Sequence, residues 1–132
     1  MKILNENPPN IDKIKAKFAI QPEDKVVYTY GDTIYNPNNG TIDAALDAHE
    51  SVHMTQQGSD PEAWWDKYIE DVNFRLSQEL EAYRVQYKKF RHMNINKKER
   101  NQFVDRIAKD LSGHIYGNSI DYYTARQKIK YG

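Results

Sequence analysis

The chain contains no cysteine, which excludes disulfides and thiolate-ligated metal, so a metal would have to be held by nitrogen and oxygen donors. A cysteine-free chain survives in any compartment; a cytoplasmic location is expected, with host cytoplasm or a virion as settings. Net charge is equally lacking, because nineteen basic residues balance nineteen acidic ones. Without a basic excess there is no overall attraction to nucleic acid or to an anionic membrane, and neither partner is expected. No apolar run reaches transmembrane length, and residues 1–9 lack the apolar core of a secretion signal. The 132 residues are enough for one core but not two, which predicts a single domain over residues 1–132 and a monomer.

What is present is patterned. Residues 1–10 are rich in asparagine and proline and read as an arm or loop. A short amphipathic helix is expected over 11–18, with Ile11, Ile14 and Phe18 on one side. Residues 25–30 have the β-branched and aromatic bias of a strand. Gly31 and Asp32 supply a turn, and 33–35 a second strand, stopped by the Asn/Pro/Gly run at 36–40. From Thr41 onward the periods are helical. Thr41 is the expected N-cap of a helix that Gly58 closes. Asp60 and Pro61 open the next helix. Further helices are expected over about 73–91, 96–111 and 119–129. The fold class that follows is α+β: mainly helical, with a small N-terminal β-hairpin.

The chemistry concentrates in the first long helix. His49, Glu50, Ser51, Val52 and His53 place two imidazoles four residues apart with a carboxylate beside the first. On a helix, positions i and i+4 share one face, so both imidazoles can reach one Zn²⁺ while Glu50 addresses a water that the ion activates. A catalytic zinc needs three protein ligands and an open position. The remaining histidines are His92 and His114, so the third ligand is one of these or a carboxylate. The helix over 73–91 has a core stripe of Leu76, Leu80, Tyr83, Tyr87 and Phe90. Glu79 falls roughly 60° from the centre of that stripe and Glu81 roughly 140° from it. An inward carboxylate is costly unless a cation neutralises it, which favours Glu79 as the ligand over a salt bridge to Arg75 or Arg84.

His49, Glu50 and His53 followed by a helix-borne Glu79, with Ala82 three residues on, resemble the gluzincin metallopeptidases, in particular the single-domain minigluzincins. The stretch from Gly58 through Trp64, Trp65, Tyr68, Phe74, Arg75, Gln86 and Tyr87 is also similar to small proteins encoded by tailed phages and prophages. The resemblance spans about residues 25–90. It implies a mini-zincin-like fold around an active-site helix, with His49, His53 and Glu79 on zinc. Where larger gluzincins often carry an aspartate that braces a zinc-bound histidine, this chain has Tyr83.

The expected activity is hydrolysis of a peptide bond in a peptide or protein substrate. Glu50 would serve as general base and return its proton to the leaving amine. An oxyanion donor is sought in the loop-like break at 112–118, with His114 and Tyr116 as candidates and Tyr122 and Tyr123 close behind. Asp43, Asp47 or Tyr83 would accept from the outer nitrogens of the histidines, and Gln56 and Gln57 would cap the helix or touch the site. The hairpin offers a strand edge for an extended peptide or is plain scaffold. Of Trp64 and Trp65, one is expected buried and one half-exposed.

Two other classes compete. One is a zinc-binding structural or assembly protein of a phage or prophage that keeps the site without turnover. Glu50 argues against it, since a purely structural site needs no base. The other is a di-iron bundle, suggested by Glu50 and His53 at Glu-x-x-His spacing. Such sites use two of these motifs, and the sequence has no second.

Overall fold

The computed structural model describes residues 2–93 and 96–132; Met1, the first residue of the expected arm, lies outside them. Three short strands form one sheet: β1 (Lys2–Leu4), β2 (Tyr28–Tyr30) and β3 (Thr33–Tyr35). β3 is central, antiparallel to β2 and parallel to β1. The hairpin turns at Gly31, whose φ of 65° is one a side chain would resist. β1 corrects the expectation that 1–10 is only an arm. Ile3 aligns with Ile34 and the Asn36 amide donates to the Leu4 carbonyl, so tertiary pairing recruits three residues that carry no strand signal of their own.

Helix α1 (Ile11–Lys17) packs Ile14 and the following Phe18 inward, as the spacing predicts. A 3₁₀ turn at Pro22–Asp24 follows, closed by the Gln21 amide donating to Asp24 Oδ2 at 2.8 Å. The strand expected over 25–30 is therefore shorter, since Lys25 is left-handed (φ 51°) and pairing begins at Tyr28.

Helix α2 (Ala44–Gln57) is capped by Asp43, whose Oδ1 accepts from the Leu46 amide at 2.8 Å. Thr41 is thus not the cap. Both side chains suit the role, and the aspartate two residues on adds charge at the positive end of the helix dipole. Gly58, at φ 57°, ends α2 as expected. Asp60 caps α3 (Pro61–Glu70) with proline at its first position. Asp71 closes α3 and caps α4 (Val72–Arg91), so two helices meet at one residue. Asn96 caps α5 (Lys97–Leu111). A second 3₁₀ turn, His114–Tyr116, leads to α6 (Tyr122–Tyr131). That last helix starts at the Asp121 cap rather than near Ser119, whose hydroxyl accepts from Arg75 instead.

The chain is an α+β, mainly helical single domain with two apolar clusters. One joins Leu80, Tyr83 and Tyr87 of α4 to Val104, Ile107 and Leu111 of α5 and Ala125 and Ile129 of α6. The other is aromatic, with Ile14, Phe18, Tyr28, Trp64, Trp65 and Tyr68. Both tryptophans are buried, against the expectation of one, because Trp65 Nε1 donates to the Thr29 carbonyl and Trp64 Nε1 to Gln78 Oε1. Helices α2 and α4 run between the clusters, and their facing surfaces carry the site. Among the described residues, no helix is long and apolar enough to cross a membrane.

Candidate metal centre

His49 and His53 sit one turn apart on α2, and Glu79 faces them from α4, all three at most 5 % exposed. His49 Nε2, His53 Nε2 and Glu79 Oε1 form an equilateral triangle with every edge 3.2 Å. Tetrahedral bonds of about 2.0–2.1 Å to nitrogen and oxygen set donor atoms about 3.3 Å apart, so the triangle is the size of one face of a small-ion coordination shell. Buried, converging acceptors of this kind repel one another unless a cation or proton lies between them. The three residues could therefore hold a metal ion. The inward placement deduced for Glu79 is what the structure has, and Glu81 is exposed. Neither alternative partner of Glu79 is used: the Arg75 guanidinium donates to the carbonyls of Tyr68, Ile69 and Tyr116.

Each donor is held from behind by an uncharged group. Gln86 Oε1 lies 2.9 Å from His49 Nδ1, Gln56 Oε1 lies 2.8 Å from His53 Nδ1, and the Tyr68 hydroxyl donates to Glu79 Oε2 at 2.6 Å. These contacts turn both Nε2 atoms and Oε1 toward the centre of the triangle. Neither Asp43 nor Asp47 takes the expected bracing role. Asp43 caps α2, and Tyr83 instead sets its ring edge-on to His49 with centroids 4.5 Å apart. Gln86 and Tyr68 were missed as partners. Gln86 lies two helical turns beyond Glu79 on the same face, a spacing that points to it; nothing local marks Tyr68.

Glu50 is also buried but stands outside the triangle, with Oε2 3.8 Å from His49 Nε2. The Thr29 hydroxyl, from β2, donates to its other oxygen at 2.9 Å. No sequence signal pointed to Thr29. Burial pushes the Glu50 carboxyl above its usual range, and nearby Glu79 adds to this, against the pull of His49 and His53. For His53 burial alone would lower the pKa, but the Glu79 carboxylate, with help from Glu50 and Gln56, outweighs it and raises His53 to about 9. Burial opposes ionisation of Glu79, yet the two imidazoles hold its carboxyl well below the usual range.

Tyr116 is brought to this centre, and the other proposed donors are not. It lines a cavity of about 50 Å³ with His49, Glu50, His53 and Glu79, walled by Phe18, Trp64 and Tyr68. A larger, polar pocket of about 300 Å³ shares His49, Glu50 and Tyr116 with that cavity and is lined further by Asp24, Asp43, Arg106 and Asp110. The Tyr116 and Tyr83 hydroxyls are 2.7 Å apart, and burial drives both phenols well above their ordinary pKa. His114 does not reach the triangle and is held at the rim instead. Its side chain is half exposed and lines neither cavity, and Nε2 lies 2.8 Å from Oδ2 of Asp24, a residue of the larger pocket's wall. Tyr122 bonds Asp105, and Tyr123 is 80 % exposed. The strand edge is taken as well, because the Thr29 carbonyl accepts from Gln57 Nε2 at 2.8 Å and from Trp65 Nε1 at 3.0 Å.

No family model matches this chain, and no curated protein or solved structure matches it either.

Proposed function

We propose that this protein is a zinc-dependent metallopeptidase of the gluzincin type, hydrolysing a peptide bond with Glu50 as general base. The carrying observation is the combination of a three-donor triangle and a separate buried carboxylate directed at it. A metal held only for structure has no use for that fourth group. Two imidazoles and one carboxylate are the donor set of catalytic Zn²⁺ sites with a position left open; Fe²⁺ takes the same set, and the carboxylate beside it supports the hydrolytic zinc reading. When bound, zinc supplies a Lewis acid and lowers the pKa of a coordinated water toward neutrality.

The chain's own residues supply the rest. Thr29 engages Glu50 Oε1, which leaves Oε2 as the oxygen facing the triangle and the one that accepts the proton of the attacking water. Buried beside the triangle, Glu50 is placed to take that proton and carry it to the departing amine. Tyr116 is kept as a neutral phenol by burial and lines the cavity beside Glu50, so it is the residue to donate to the developing oxyanion.

One observation favours a second reading, a zinc-binding structural or assembly protein of a phage or prophage. The donors are almost wholly buried beside a cavity of about 50 Å³, room for a water or two but not for a peptide. Under the peptidase reading a substrate approaches through the pocket of about 300 Å³ that His49, Glu50 and Tyr116 also line. Metal analysis combined with a peptide-library digest separates the two. The expected result is about one zinc per chain in wild type and in Glu50→Gln, with cleavage in wild type alone. Zinc without cleavage in either protein would leave the structural reading standing.

A further inference from the structure

Glu81 touches no ligand and lies on the exposed side of α4, yet the orientation of a buried imidazole depends on it. The dependence runs through Gln56, whose amide bridges α2 and α4. Its nitrogen donates to the Gln78 carbonyl at 3.0 Å and to Glu81 Oε1 at 2.9 Å. A carbonyl and a carboxylate only accept, so the nitrogen end of the amide must face α4. The oxygen end is then committed to His53 Nδ1, 2.8 Å away. An amide oxygen also only accepts, so Nδ1 must carry a proton. With Nδ1 protonated, a neutral His53 presents the lone pair of Nε2, and Nε2 is the atom in the triangle.

From this we propose that Glu81 is a positioning residue for the metal centre: by holding the Gln56 amide one way round, it fixes His53 in the tautomer that can ligate. The inference rests on the reading that His49, His53 and Glu79 bind a divalent metal. It also gives Glu81, two residues from a ligand and pointing the other way, a role that a solvated helix face would not have.

A cation at position 81 can only donate. It would draw the amide oxygen of Gln56 toward α4 and turn the nitrogen toward His53, stabilising the tautomer whose Nε2 is blocked by a proton. Loss of such an orienting partner costs about 10–100-fold in metal affinity. The test uses the full chain and the metal alone, with Zn²⁺ affinity read by competition against a chromophoric chelator and ligand geometry by the visible spectrum of the Co²⁺ form. Glu81→Lys is expected to weaken Zn²⁺ binding about 10–100-fold and to change the Co²⁺ spectrum. Glu81→Gln, which can still offer an oxygen to Gln56, is expected to bind like wild type.

The decisive arm is the Gln56→Leu background. If Glu81 acts through Gln56, adding Glu81→Lys there produces no further loss. A charge acting through space would weaken binding equally in both backgrounds, and that result overturns the proposal. So does a Glu81→Lys protein that binds Zn²⁺ like wild type. Wild type that takes up no metal at all removes the underlying reading too, which separates the two failures. Both positions lie outside the buried core, and thermal melts of the metal-free variants verify that each is folded.

Discussion

The side of the molecule formed by α5 and α6 buries apolar side chains alone, whereas the side formed by α2, α3 and the sheet buries polar and charged groups beside its aromatic cluster. Among the described residues, all ten buried polar or charged side chains lie on the strands, on α2 and α4, or just after the hairpin, and none is on α5 or α6. The α5–α6 side contributes aliphatic packing, with Val104, Ala108, Leu111 and Ala125 fully covered. Helix α4 belongs to both, turning Leu80 and Tyr87 to one side and Arg75, Glu79 and Gln86 to the other. Apolar burial stabilises, whereas buried ionisable groups cost stability unless something compensates them. The difference implies that one half supports the fold and the other holds a site that is costly without its ion.

Removing a ligand is the strongest way to test that division. His49→Ala and Glu79→Ala each delete one edge-sharing donor of the triangle, and Zn²⁺ affinity is expected to fall about 10³-fold, a quarter or so of a full site's binding energy. Isothermal titration measures it, and either variant binding like wild type would show that the triangle is not the metal site. Ile129→Ala makes the converse cut. It opens a cavity in the α4–α5–α6 cluster, for which a loss of about 3 kcal/mol in chemical denaturation is expected with Zn²⁺ affinity unchanged. Coupled losses would mean that the two halves are not separable.

Arg75 lies at the join. Its guanidinium is buried, donates to three carbonyls, and packs over the Phe18 ring at 4.9 Å. Arg75→Met keeps the stem but leaves those carbonyls without their donor, for an expected cost of about 2 kcal/mol. The contact with the Tyr116 carbonyl steadies the segment carrying that tyrosine. Peptide cleavage is therefore expected to drop more than Zn²⁺ binding, and equal losses in both would remove Tyr116 from the catalytic machinery.

The two halves also differ in how much of them the sequence makes legible. Helical periodicity shows directly which residues of α4 face the core, and the same angle arithmetic separates Glu79 from Glu81. The caps at Asp60 and Asn96 are visible because Pro61 follows the first at the opening helical position and Glu99 stands three residues after the second. At the start of α2, Thr41 and Asp43 compete within three residues, and local rules do not rank them. β1 is not legible at all, since its three residues become a strand only through a partner thirty-one positions away. The ligands follow from spacing on single helices. Thr29 and Tyr68 reach Glu50 and Glu79 from other elements, and the amides of Gln56 and Gln86 carry no charge to draw attention to them.

The smallest expected effect comes from protons, and it distinguishes the metal-free site from the loaded one. In the metal-free protein His53 titrates near 9, against about 6.5 for an unstructured histidine. The folded state therefore binds more protons than the unfolded state between those values, and stability must fall as pH rises across that window. Below about 6.5 the full contribution is present, and above about 9 it is gone. Glu79 runs the other way, with its carboxyl held low, so its contribution is full above about 4.5, fades as pH falls below that, and leaves this window untouched. A bound zinc needs His53 unprotonated, which removes the proton difference and with it the slope. Melting temperature measured from pH 6.5 to 9 is thus expected to decline for the metal-free protein and to stay level for the zinc-loaded one, so that stabilisation by zinc grows with pH. Parallel curves would mean that His53 and the ion do not compete for the same lone pair.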